Sequence, residues 1–208
     1  TISITKVGND KKTPLRIEIA KPENKIWPDF LQLKFKYQGA YRDLQANDND
    51  SSKTPHTILL DENSLFYPVL EADGPSPLVT FSLETVTPSG WRVVSQGKRV
   101  THIRGDGPVA TTWKCDDPME NIYLIADRYY EYKDRWEDID LFVFLRKDQP
   151  ELAQRYLDTA KLYIPFYQHL IGAYPFVKFA VVENSEQTGY GMPSFTLLGS
   201  RVSRVPFI

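Results

Sequence analysis

Asp148-Gln149-Pro150-Glu151 is the stretch at which the chain changes its period. Asp can cap a helix, Pro is tolerated in a first turn, and Glu151 stands three residues after the Asp. From there Leu152, Tyr156, Ala160, Tyr163, Tyr167, Leu170 and Ile171 recur at helical spacing. The pattern predicts a helix over 148–171, kinked at Pro165, which has no N–H to donate, and closed by Gly172. Tyr174-Pro175 confirms the stop, and strands are expected over 176–182 and 195–198.

Upstream of Asp148 the apolar residues alternate at period two instead. Leu15-Arg16-Ile17-Glu18-Ile19 and Leu31-Gln32-Leu33-Lys34-Phe35-Lys36-Tyr37 read as half-buried strands. Further strands are expected over 57–60, 78–86, 91–95, 100–103, 109–114, 121–132 and 139–146. Turn signals such as Pro88-Ser89-Gly90, Gly105-Asp106-Gly107-Pro108 and Asp117-Pro118 separate them. Many short, regularly punctuated strands indicate a mainly β body, a sandwich or an open curved sheet. The expected division is a β-rich domain over 1–146 and a second α/β region over 147–208. That second region is too short to close a core and reads as the opening of a longer domain.

Composition narrows the function classes. In 208 residues, 41% are hydrophobic and 25% charged, enough to bury a core, and the 13% aromatic share suits strands. A net charge of -2 without Lys/Arg clusters gives no general attraction to nucleic acid or anionic lipid. No apolar run approaches the ~20 residues of a membrane span, and no targeting segment is visible, so the compartment is not readable. Cys115 stands alone and reads as a small buried hydrophobe. His56, His102 and His169 show no ligand spacing, so no metal site is expected in these residues. The acidic stretch 131–140 reads as a solvated hairpin end.

Glu183-Asn184-Ser185-Glu186-Gln187-Thr188-Gly189-Tyr190-Gly191-Met192-Pro193-Ser194-Phe195 places two glycines between hydrophobic segments. It reads as a glycine turn between two strands. That turn either merely packs or lies at an exposed edge that an extended peptide could approach, since glycine has no Cβ.

Tyr174-Pro175-Phe176-x-Lys178-Phe179, Val182-Glu183-Asn184 and Gly189-Tyr190-Gly191-Met192-Pro193-Ser194 together resemble the approach to the substrate-recognition loop of zinc aminopeptidases related to aminopeptidase N and leukotriene hydrolase. Pro88-Ser89-Gly90-Trp91-Arg92-Val93-Val94-Ser95 and Ile122-Tyr123-Leu124-Ile125-Ala126 resemble that family's N-terminal domain. The resemblance implies an antiparallel, saddle-like β-sandwich domain followed by the truncated start of a thermolysin-like α/β catalytic domain. It implies a zinc metallopeptidase acting on peptides, with zinc in the full-length protein and backbone groups at Gly191 and Met192 holding the substrate. Pro193 stands where the family has the glutamate that binds a free α-amino group, and Ser194 where it has asparagine. No His-Glu-x-x-His occurs in the chain, so these residues alone are expected to be inactive. The alternative is a non-catalytic β-sandwich module binding protein or carbohydrate.

Overall fold

A computed structural model describes residues 2–5, 16–19, 32–36, 57–64, 66–68, 78–103, 107–187 and 189–201. Two units are distinguished, Thr1–Asp50 and Ser51–Ile208. In the first, β1 (Ile2–Thr5) and β2 (Arg16–Ile19) pair antiparallel, with Ile2 opposite Ile19. The strand expected over 31–37 is not one in its described part: residues 32–36 form no regular element and pair with no strand among the described residues, and Phe35 is exposed. Alternation specifies a face, but a strand also needs a neighbour to receive its backbone hydrogen bonds.

The second unit carries the remaining strands: β3 (Ile58–Leu60), β4 (Val79–Thr87), β5 (Arg92–Val94), β6 (Lys98–Ile103), β7 (Val109–Met119), β8 (Leu124–Asp127), β9 (Tyr130–Trp136) and β10 (Ile139–Leu145). Helix α1 (Pro150–Ile171) follows, then β11 (Lys178–Asn184), β12 (Gly189–Met192) and β13 (Phe195–Gly199). The fold is mainly β. Two three-stranded antiparallel sheets, ordered β3-β8-β5 and β4-β7-β6, stand beside a five-stranded mixed sheet, ordered β12-β13-β11-β10-β9.

The mixed sheet organises the packing. Strand β10 enters, α1 crosses over, and β11 returns parallel to β10, with Val143 opposite Val181. Parallel strands need such a crossover. Both faces of β10 and β11 are covered. On one face Phe142, Phe144, Ala180, Val182, Phe195 and Leu197 pack against Trp113 of β7, Val94 of β5 and Ile125 of β8. On the other, Leu141, Val143, Leu145 and Val181 meet Ala153, Leu157, Ala160 and Ile164 of α1. Full burial of side chains such as Phe144 stabilises the fold by ~1.5–3 kcal/mol each.

Several expectations are corrected. Strand β7 continues past residue 114 through Pro118, because a register shift between Val79 and Phe81 of β4 makes a bulge that tolerates a residue without an N–H. The single strand expected over 121–132 is two strands in different sheets. The chain changes sheets at Arg128-Tyr129, where the Asp127 carboxylate accepts the Arg128 N–H at 2.6 Å. The helix begins at Pro150, and Asp148 does not cap it: Asp148 accepts from the Tyr132 hydroxyl, which itself accepts the Gln149 N–H at 2.9 Å. The buried stripe of α1 is 153-157-160-164, whereas Tyr167, Leu170 and Ile171 of the expected stripe are exposed. Gly172 does end the helix, its N–H donating to the Gln168 carbonyl at 3.1 Å.

One lysine lies inside the sandwich. Lys178 is fully buried, donates to the Ser95 carbonyl, and holds its Nζ 4.5 Å from the Trp113 ring centroid and 5.1 Å from that of Phe195. Burial disfavours the ammonium, so its pKa falls from an ordinary 10.5 to about 7.

Two consequences are measurable. Between about pH 7 and 10.5 the unfolded chain holds the Lys178 proton that the folded one releases, so raising pH removes a penalty and stability rises. Below about pH 7 both states are protonated and the penalty is full. Urea unfolding should therefore show a rising difference in this window that Lys178→Met abolishes. The second concerns Gly97 and Gly90, with φ of +75° and +85°. A Cβ at Gly97 would stand 2.1 Å from the Lys114 carbonyl oxygen, while one at Gly90 meets nothing within 4 Å. Gly90→Ala should cost only the left-handed backbone penalty, ~1–2 kcal/mol. Gly97→Ala should cost a further ~1–3 kcal/mol from overpacking, read from unfolding midpoints.

Candidate functional site: an open sheet edge

The stretch that reads as a glycine turn is a strand. Gly189–Met192 forms β12 and pairs antiparallel with β13, placing Gly189 opposite Leu198, Tyr190 opposite Leu197, Gly191 opposite Thr196 and Met192 opposite Phe195. The turn lies one step later, at Pro193-Ser194. Proline fixes φ near -65°, and Ser194 takes φ 70°, the sign that a type II turn demands of its third residue. Glycine or asparagine usually occupies that position, so Ser194 is strained there. The Ser194 carbonyl accepts the Ala180 N–H at 3.2 Å, while the buried Ser194 Oγ has no partner among the described residues. The alternation of Tyr190 and Met192 was the sequence signal for this strand; the flanking glycines masked it.

Strand β12 is the edge of its sheet, and no strand pairs with its outer side among the described residues. An edge strand directs alternate N–H and C=O groups away from its neighbour, ready for another extended chain. Gly189, Tyr190 and Gly191 are exposed, and Met192 packs against the aromatic core between the sheets. The Tyr190 carbonyl accepts from the Thr196 hydroxyl at 3.2 Å.

The two glycines differ in what surrounds them. A Cβ at Gly189 would meet only Leu198 Cδ2, at 3.8 Å, and one at Gly191 would meet nothing within 4 Å. Neither residue has a positive φ. Among the described residues nothing therefore requires glycine at 191. What the missing side chain leaves is free space above an exposed backbone. Beside the hairpin turn, a cavity of about 310 Å³ is lined by Pro193, Met119, Glu120, Asn121 and Tyr123 among others.

The histidines are dispersed. His102 lies on β6, His169 is exposed in the last turn of α1, and His56 lies outside the described residues. Among the described residues no group of three or more His, Cys, Asp or Glu could hold a metal ion. Cys115 is buried, its thiol donating to the Asp117 carbonyl at 3.5 Å, and burial raises its pKa. No helix among the described residues is long and apolar enough to cross a membrane.

No protein-family model and no curated protein matches the chain. Among solved structures, one that it resembles is a two-domain M1 zinc metallopeptidase, a mutant bound to L-arginine. The identity is 11% and the TM-score 0.48, over 61% of this chain and 31% of that one. The matched part spans under a third of the neighbour's length.

The edge geometry makes a prediction about stability alone. Gly191→Val should leave the unfolding free energy within ~0.5 kcal/mol of wild type, as exposed substitutions usually do. A larger loss would mean that the space above Gly191 is needed by the fold.

Proposed function

We propose that β12 is a peptide-binding edge and that the chain is the N-terminal portion of a zinc-dependent metallopeptidase of the aminopeptidase N type. The observation that carries this reading is an exposed edge strand whose Gly191 is required by nothing among the described residues. It coincides with the motif that resembles the substrate-recognition loop. An extended substrate would lie along β12, held by main-chain groups at Gly191 and Met192, which fix its register while the side chains remain free. Residues 1–146 then belong to the β-rich N-terminal-type domain and 147–208 to the opening of the catalytic domain. Strands β9 and β10 extend the sheet that the later strands complete.

The 208 residues contain no His-Glu-x-x-His, and among the described residues no group of three or more His, Cys, Asp or Glu could hold zinc. Zinc would be held by residues outside them, and no hydrolytic step is assigned to this chain, which alone is expected to be inactive. Pro193 bears on specificity. It closes the hairpin without charge or N–H, so the edge lacks the carboxylate with which the resembled family grips a free amino terminus.

The test uses the full-length protein. Gly191→Val should lower kcat/KM for peptide hydrolysis on the order of tenfold or more, with the fold intact, because a branched side chain blocks close approach of a second backbone. Undiminished activity in the folded variant would remove β12 from the substrate path. Pro193→Glu should create a preference for free over blocked amino termini, since a charge-assisted hydrogen bond contributes ~1.5–3 kcal/mol. An unchanged ratio of the two substrates would separate position 193 from specificity.

A further inference from the structure

The cavity beside the β12–β13 turn is formed by pieces of chain that lie far apart in sequence. Leu78 leads into β4, Pro118 and Met119 end β7, and Pro193 closes the hairpin. Val79 pairs with Met119, so the first two pieces make one wall. Met192 and Tyr123 pack against the same buried aromatic cluster, which brings the hairpin to that wall. The segment that follows β7 is fixed from behind. The fully buried Gln96 donates from Nε2 to the Asn121 carbonyl at 2.6 Å and accepts the Tyr123 N–H at 2.9 Å. The Ile122 N–H between them donates to the Tyr67 hydroxyl at 3.2 Å.

Walls and mouth differ in chemistry. Leu78, Pro118, Met119 and Pro193 present apolar surface. Glu120, also in the lining, is exposed, and its carboxylate has no hydrogen-bond or ion-pair partner among the described residues. A second carboxylate stands close by. With its amide oriented to satisfy both neighbours, Asn121 donates to Glu62 Oε2 at 2.7 Å and to the Glu120 carbonyl at 3.1 Å. Among the described residues no Lys or Arg lines the cavity. Its volume, about 310 Å³, lies at the lower end of the ~300–1,000 Å³ of ligand pockets.

We propose that this cavity receives the side chain of a lysine or arginine in an extended peptide bound along β12, with Glu120 meeting the charged head. The inference rests on the reading of β12 as a peptide-binding edge. Pro193 has no N–H, so a main-chain ladder on β12 stops at Met192, and the next peptide residue is fixed through its side chain. Lysine and arginine carry an apolar stem and a charged end. The stem suits Leu78, Pro118 and Pro193, while the head stays at the wet mouth. A wholly apolar side chain would fill the walls and leave the carboxylate without a partner, and an acidic one would be repelled. Because Glu120 is exposed, the charge contributes severalfold in affinity rather than orders of magnitude.

The chain has two methionines, Met119 on the cavity wall and Met192 on the edge strand. Isotope labelling of their methyl groups therefore lets NMR follow the two places separately. The probes are acetyl-Ala-Ala-Lys-Ala-Ala-amide, the same blocked peptide with norleucine for lysine, and the norleucine peptide with a free amino terminus. The lysine peptide should shift both methyl signals and bind about fivefold more tightly than blocked norleucine at low salt. Glu120→Gln should abolish that preference, and Glu84→Gln, exposed on β4 outside the cavity, should retain it. Gly191→Val should weaken both blocked peptides. Equal affinities for the blocked peptides, or a lysine preference that survives Glu120→Gln, overturn the cavity's role; if Gly191→Val still weakens them, the edge stands without it. A lysine preference indifferent to Gly191→Val removes the edge, and the proposal with it. A free-amino norleucine peptide that binds more tightly than the blocked lysine peptide overturns it too, by assigning Glu120 to a chain terminus. So does the absence of binding to any probe.

Discussion

Strands β10 and β11 must be buried on both faces at once, and the second unit is arranged around that demand. Nearly every residue of each strand is buried, Val143 and Val181 toward α1, Phe144 and Val182 toward the smaller sheets. A parallel pair cannot be closed by a tight turn, so the crossover helix that joins the strands also covers one face. The two antiparallel sheets cover the other. A polar knot fixes how these layers meet. Arg146 Nε donates to Asp127 Oδ2 at 2.9 Å, Thr57 Oγ1 donates to the same oxygen at 2.8 Å, and the Arg146 N–H donates to Glu183 Oε2 at 2.7 Å. The Tyr129 hydroxyl donates to the Glu183 carbonyl at 2.7 Å, so strand ends from separate sheets are tied in one network.

The edge strand follows from the same arrangement. With β11 central and β13 added parallel to it, the sheet grows away from β9 and ends at β12. An edge is ordinarily a liability that proteins blunt with charge, proline or a covering segment. Here the strand is four residues long, its turn contains proline, and its exposed positions carry two glycines and a tyrosine. Shortness and Pro193 restrict self-association, while the glycines keep the backbone approachable. That combination is what the proposed peptide-binding role of β12 would require.

The sequence made some of this legible and hid the rest for identifiable reasons. Strands β4, β5, β10 and β11 were located to within a few residues, β10 and β11 as apolar runs because both of their faces are buried. The change of period at Asp148 located α1, but not its buried stripe, since tyrosines at helical spacing served the partly exposed side as well as the core. Strand β12 was hidden by its glycines, which signal turns more often than edges. Glu131 reads as part of a solvated acidic run, yet its side chain is buried against Arg99, 32 positions away. The partners of Lys178 and Glu131 come from other sheets, and spacing along the chain carries no information about them.

Lys178 and Arg99 show how one aromatic interior holds two cations on different terms. Both lie against Trp113, Arg99 with a carboxylate partner at 2.7 Å and Lys178 with only a carbonyl and ring faces. The Trp113 N–H is itself engaged, donating to the Val93 carbonyl at 2.9 Å, so the indole is oriented and its faces are fixed for both. A cation near an aromatic face gains ~0.5–2 kcal/mol, less than the cost of burying an uncompensated charge. Burial therefore dominates at Lys178 and lowers its pKa toward neutrality. At Arg99 the Glu131 carboxylate offsets the burial, so the guanidinium is kept inside as one half of an ion pair. The interior that anchors the mixed sheet thus holds one cation against a carboxylate and the other against a carbonyl and ring faces.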